Sequence, residues 1–429
     1  MIYVHVPFCR SFCTYCDFYS EIADRTGVQP ASAGRNEGER PACAGGRQLS
    51  VFERYTDDLC AEIRARRDEI AASAGVRTLY IGGGTPSVLP LGCLKRIVET
   101  LDAGPYDEFT VEVNPEDIVE KGPEYVVGLL ELGVNRISMG VQSLDDGMLR
   151  WMNRRHSADG AREAYRIISG TVFQGQPSQT VSPSARPHRS QSSRSPLLWC
   201  RGWHRFADGS PEKPCPIDRS VDIISGVPGM DCAMLERTVD EILGWRPEHI
   251  SAYQLSIEEG SALAKMIAAG KVAEAPEEEC RAQYELLCRK LREAGYHHYE
   301  ISNWALPGHE AVHNSAYWTR QPYVGLGPGA HSLTYLDARG CPTAGCQSAS
   351  AGINEGERPA FADCPPSDLI QRRSWNSRRT SGWAVEGSET LTPEEIREET
   401  VMLQARTDRG PIPESDWFVA DDIVADLLA

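Results

Sequence analysis

The chain has 429 residues, 41% of them hydrophobic, and 61 acidic against 44 basic side chains give it a net charge of -17. That length and apolar share suffice for a large core with one or two smaller modules. The acidic excess excludes the broad basic surface that phosphate backbones select, so nucleic acid is not an expected partner. The opening MIYVHVPF lacks the basic flank and cleavage site of a secretory signal, and no run reaches the ~18 apolar residues of a membrane helix. A cytoplasmic location is therefore expected, with the 14 cysteines read as reduced thiols or metal ligands.

In chain order, β-branched or aromatic runs recur as YVHVP at 3–7, TLYIGG at 78–83, FTVEVNP at 109–115, RISMGVQS at 136–143, VDIISGVP at 221–228 and HISAYQLS at 249–256. Amphipathic stretches such as DDLCAEIRARRDEI and MLERTVDEILGW lie between them. Strand alternating with helix predicts a parallel α/β sheet. Six strands ending in Gly, Pro or polar residues predict a partial (β/α)6 barrel with its chemistry at the C-terminal rim, a doubly wound sheet being the alternative.

Three segments break this rhythm, at about 21–50, 171–219 and 338–386, and are expected to be inserted low-complexity loops. Two of them share a tract, ASAGRNEGERPACA at 31–44 and ASAGINEGERPAFA at 349–362, identical at 12 of 14 positions. Residues 1–335 are thus expected to form the core barrel and accessory region, followed by the 338–386 loop and a short helical module over 388–429 with Thr392 as N-cap.

Cys9, Cys13 and Cys16 have the spacing C-x3-C-x2-C, which lets one tight loop after the first strand present three thiolates together. Soft thiolates select iron–sulfur clusters or zinc. No fourth Cys or His follows closely, which favours a four-iron four-sulfur (4Fe–4S) cluster with one iron open to a further ligand.

In order along the chain stand YVHVPFCRSFCTYCDF, YIGGGTPSVL, VEVNPED, RISMGVQSLDDGMLRWMNRRH and VDIISGVPG. With these motifs in register the sequence resembles the radical S-adenosylmethionine (SAM) superfamily, in the branch of coproporphyrinogen III dehydrogenase and the HemW haem chaperones. The resemblance implies a radical SAM barrel and a winged-helix-like C-terminal module, here apparently truncated. It implies a cluster on Cys9, Cys13 and Cys16, and SAM contacts from Tyr3, Tyr15, Gly83, Gly84, Thr85, Glu112, Gln142, Arg154 and Asp222. The glycines leave room for close backbone approach.

The dehydrogenases carry a fourth cysteine two residues after the third, whereas this chain has Cys16, Asp17, Phe18. Its HNxxYW stretch, with His313, Asn314, Tyr317 and Trp318, matches the haem chaperones and implies a haem contact through imidazole and flat aromatic faces. His5, His297, His298 and His331 are left unassigned, and Cys341, Cys346 and Cys364 read as unpaired thiols.

The resemblance thus implies a haem chaperone, without dehydrogenase activity, that holds a cluster, SAM and haem. It would serve haem-accepting apoproteins, draw on an electron donor of flavodoxin or ferredoxin type and leave a peripheral membrane contact open. The alternatives are an oxygen-independent coproporphyrinogen III dehydrogenase and an inactive relic interrupted by its inserts.

Overall fold

The computed structural model describes residues 1–23, 49–171, 217–343 and 369–428. Most of the first two expected inserts, both copies of the repeated tract, Cys346 and Cys364 lie outside them. No helix among the described residues is long and apolar enough to cross a membrane.

The six expected strands are present and parallel: β1 (Ile2–Val6), β2 (Thr78–Gly83), β3 (Glu108–Val113), β4 (Arg136–Gln142), β5 (Asp218–Ser225) and β6 (His249–Gln254), hydrogen-bonded in chain order. Helices follow them: α1 (Val51–Ala65), α2 (Leu91–Leu101), α3 (Pro115–Glu131), α4 (Ala158–Gly170), α5 (Cys232–Trp245) and α6 (Glu277–Glu293). The sheet does not close on itself. On one side β6 pairs antiparallel with β8 (Asn303–Ala305), which pairs with β7 (His297–Glu300); on the other, β9 (Val324–Leu326) lies parallel to β1. This is a partial (β/α)6 barrel with capped edges.

Side chains alternate strictly along the strands. Ile2, Val4, Leu79, Ile81, Phe109, Val111, Ile137, Met139, Val221 and Ile250 are buried in one apolar cluster with the helices, where each fully buried aliphatic contributes about 1.5–3 kcal/mol. Their neighbours in sequence, Tyr80, Glu112, Ser138, Asp222 and Ser251, turn to the opposite face and line a cavity. Register aligns these polar residues: Tyr80 lies opposite Thr110, Glu112 opposite Ser138, and Asp222 opposite Ser251. The inner face of the sheet is therefore polar and layered.

Of the third expected insert, residues 338–343 and 369–386 are described. Its end, together with the segment before it, forms a four-stranded antiparallel sheet of β10 (His331–Leu336), β11 (Pro342–Thr343), β12 (Ile370–Asn376) and β13 (Val385–Thr390), in the order β11-β10-β12-β13. The described residues of the expected loop over 338–386 thus carry β11, β12 and the start of β13 between turns, and the sheet docks on the barrel through Glu62 of α1. The Glu62 carboxylate accepts from Gly327 N at 2.8 Å, Asn376 Nδ2 at 2.7 Å and Trp383 Nε1 at 2.7 Å, and from Arg66 Nη1 at 3.0 Å.

Beyond β13, Thr392 caps α8 (Pro393–Ala405) with Glu395 completing a capping box. A turn over Glu414–Val419 and α9 (Ala420–Leu428) follow, and Trp417, Ile412 and Ala405 form a small separate core against Tyr284 and Ile301.

Glu62→Ala should cost about 2–4 kcal/mol by stranding four donors at once, read as a lower urea midpoint. An unchanged midpoint would show that the second sheet is held by other contacts.

Candidate functional site

The cysteine loop leaves β1 at the rim of the barrel. Phe8–Cys9 pairs in parallel with Glu21–Ile22, which closes the loop on itself. The barrel holds it from the far side: Thr14 N and Oγ1 donate to Met152 O at 3.1 Å and Trp151 O at 2.9 Å, Leu263 N donates to Thr14 O at 2.9 Å, and Asn153 Nδ2 reaches Phe12 O at 2.7 Å. Arg10 is paired with Asp117 at 3.3 Å and Glu120 at 2.6 Å on α3. So tethered, Cys9, Cys13 and Cys16 are free thiols, half-buried, on the wall of one cavity of about 430 Å³.

Polar contacts connect two of the thiols. Arg154 Nη1 lies 3.4 Å from Cys13 Sγ, and its Nη2 donates to Asn114 Oδ1 at 2.7 Å and Gly140 O at 2.8 Å. Asn114 Nδ2 donates to Thr85 Oγ1 at 3.1 Å, and that hydroxyl meets Cys9 Sγ at 3.5 Å. The buried Arg154 guanidinium thus sets a positive charge beside the Cys13 sulfur.

The end of β2 passes directly under the loop. A Cβ on Gly84 would sit 2.7 Å from Phe8 O, and Gly83 has φ of +109° with the His5 ring 2.6 Å from where its Cβ would be. Both positions need glycine, for space at one and for backbone conformation at the other.

Two carboxyls face the cavity from β3 and β5. Glu112 accepts from Tyr80 Oη at 2.7 Å and Gly83 N at 3.1 Å, and burial pushes its carboxyl up to about 7. Asp222 accepts from Ser138 Oγ at 3.0 and 2.9 Å, and burial raises it to about 6. Gln142, at a left-handed φ of +64°, keeps its buried Oε1 without a partner, as Arg154 keeps its Nε. Orphaned buried polar atoms on a cavity wall fit a polar ligand.

The structure therefore gathers Cys9, Cys13, Cys16, Tyr15, Gly83, Gly84, Thr85, Glu112, Gln142, Arg154 and Asp222 around one space. Tyr3 is not on that wall: its hydroxyl faces His5 Nδ1 at 3.1 Å, a layer behind. Asn114, Tyr80 and Ser138 were not singled out from sequence, although each sits on the polar phase or at the end of a strand whose other residues were.

The expected haem contact needs correction. His313, on α7 (Val312–Trp318), is 1% exposed; its Nδ1 bonds Thr78 Oγ1 at 2.8 Å and its Nε2 meets Tyr317 Oη at 3.2 Å. Burial, with the chain's amino terminus nearby, drives this imidazole down to about 3. It is a neutral core side chain with neither nitrogen open to iron. The Tyr317 ring packs edge-on to it at 5.2 Å, Trp318 lies under Arg406, and only Asn314 of the four lines the space.

The model of the radical SAM superfamily matches residues 3–171. The haem chaperone HemW of Mycobacterium tuberculosis (strain H37Rv) is 30% identical over 336 residues, covering 77% of this chain and 68% of that protein. HemW of Synechocystis is 29% identical over 79% of this chain, and the mitochondrial radical S-adenosyl methionine domain-containing protein 1 of Danio rerio is 29% identical over 77% of it. The chain spans 66% and 59% of those two relatives' lengths. Coproporphyrinogen III oxidase (HemN) from Escherichia coli superposes with a TM-score of 0.59 at 18% identity, covering 99% of this chain and 81% of that one, which shows the shared fold.

Glu112 binds its proton more tightly folded than unfolded, so its carboxyl favours the folded state at low pH and opposes it as pH rises through about 7. In the cofactor-free protein, Glu112→Gln should be more stable than wild type at pH 8 by up to about 3 kcal/mol, with the gap closing below about pH 5. Denaturation curves giving a pH-independent difference would show that the carboxyl is not desolvated.

Proposed function

The chain belongs to the HemW-like family of radical SAM proteins, and from that membership we propose that it is a haem chaperone: it holds a 4Fe–4S cluster on Cys9, Cys13 and Cys16, binds SAM beside it and passes haem to apoproteins. The carrying observation is the donor set, three free, half-buried thiols on one tethered loop against the glycine end of β2. Bound there, such a cluster with one open iron supplies single electrons to a sulfonium ligand.

The protein's own groups prepare that ligand's place. Gly83 and Gly84 leave the backbone bare, and Arg154 offsets negative charge at Cys13. Glu112 and Asp222, each braced by a hydroxyl donor, present carboxyl oxygens to ribose-type hydroxyls, and Gln142 Oε1 offers a further acceptor. Asp17 and Phe18 follow Cys16 where the dehydrogenase pattern has a fourth cysteine, so the chaperone reading stands ahead of coproporphyrinogen oxidation. Phe12 and Phe18, 51% and 66% exposed beside the thiols, offer an apolar face to a small electron-transfer protein of flavodoxin or ferredoxin type.

For haem itself, His331 is placed better than His313. Its ring has no hydrogen bond among the described residues, and it lines a groove of about 560 Å³ with Trp375, Arg378 and Arg379, which suit a flat ring and two propionates.

Cys13→Ser should remove the charge-transfer absorption of the anaerobically reconstituted cluster, and unchanged iron and spectrum would end the cluster assignment. Haem titration followed at the Soret band should show stoichiometric binding without coproporphyrinogen III turnover, weakened in His331→Ala more than in His313→Ala. Turnover without specific haem binding would replace the chaperone with the dehydrogenase.

A further inference from the structure

A second set of ligating side chains lies away from the cavity, where the C-terminal module meets the barrel. Cys288 stands on α6, His298 on β7 and Glu414 at the start of the turn after α8. Their ligand atoms, one from each residue, all lie within 4.8 Å of one another. His298 Nδ1 is 2.7 Å from Glu414 Oε1 and 4.0 Å from Cys288 Sγ.

The imidazole has two neutral arrangements: one donates Nδ1–H to Glu414 Oε1 at 2.7 Å, the other donates Nε2–H to Ile301 O at 3.3 Å and leaves Nδ1 free as a ligand. The second is the metal-competent one. In it Nδ1 holds a lone pair, and that lone pair points at a carboxylate oxygen. Two lone pairs at 2.7 Å repel unless a cation lies between them. A proton there would make His298 a buried histidinium, stacked on Trp304 at 4.1 Å and edge-on to Trp417 at 4.5 Å. A metal ion would satisfy Nδ1 and the carboxylate together and take in the Cys288 sulfur, 4.0 Å from Nδ1.

We propose that Cys288, His298 and Glu414 bind one divalent transition metal ion, zinc by the chemistry of the donors, and that this ion fastens the C-terminal module to the barrel. One thiolate, one imidazole and one carboxylate form a borderline-soft set that zinc accepts in tetrahedral geometry. The Nε2–H to Ile301 O bond is the outer contact that fixes the ring's orientation and tautomer in such sites. Binding is redox-neutral, with the Cys288 thiol giving its proton to solvent as the Zn–S bond forms. Water takes the fourth position on the side of Glu414, whose side chain is 38% exposed and also pairs with Arg292.

The test uses the full chain with its N-terminal thiols first occupied by anaerobic cluster reconstitution, then exposed to zinc, desalted and analysed for zinc and iron by mass spectrometry. About one zinc per chain is expected in the wild type. Cys288→Ala, a small change at a half-buried site, should lose the zinc with iron unchanged, weakening zinc affinity by about 100-fold or more. Zinc should raise the unfolding temperature of the wild type and not of Cys288→Ala. Glu414→Gln gives a second reading from the solvent side. A wild type that retains no zinc, or a Cys288→Ala protein that retains as much, would mean the bridging cation is a proton and would overturn the proposal.

Discussion

The barrel depends on pairing the polar face that its sheet turns inward. Six parallel strands send one set of side chains into the helices and the other around a central space, where polar atoms give up part of their hydration on folding. The structure answers by pairing them across strands: Tyr80 with Glu112, Ser138 with Asp222, and Ser220 with His249, whose Nε2 continues to Tyr299 Oη at 2.6 Å. At the floor Arg136 is held between Glu108 and Asp218. Toward the rim the pairing is left incomplete, at Gln142 Oε1 and Arg154 Nε. At the floor Arg136 Nη1 likewise has no hydrogen-bond partner, so unmatched polar atoms stand at both ends of the space.

Much of this was legible in the sequence. TLYIGG is the whole of β2, and the other five strands fall within three residues of the predicted runs. The outer apolar phase is rich in Ile, Val and Leu and so announces itself. The inner phase was harder to read because its meaning is relational. Ser138 looks like any small polar residue until its hydroxyl is seen to donate to Asp222, 84 positions later. The cysteine spacing needed no such partner and was read directly, whereas the tethers through Thr14 depend on backbone groups at 151, 152 and 263 that no local pattern reveals.

The second sheet and the HNxxYW stretch failed for different reasons. IQRRSWN and VEGSET lack a hydrophobic period, since β12 buries the polar Gln371, Ser374 and Asn376, β13 is mostly exposed, and ion pairs such as Arg373 with Glu389 join them. Their low apolar content reads as loop. His313 failed because residue type does not report whether a ring nitrogen is free; Thr78 and Tyr317 take both. His331, with the plainer sequence context, proved the less encumbered imidazole.

The outer edge of β1 is covered by β9, from residues 324 to 326, with Ile2 opposite Val324. On a ribosome the first strand therefore waits, unpaired on that side, until more than three hundred residues have been made. The thiol loop attached to it waits as well, since the backbone group that holds Thr14 O belongs to Leu263. The thiol loop is synthesised before the residues that secure it, so during synthesis its thiols stand in solvent long before the barrel that will shelter them is complete.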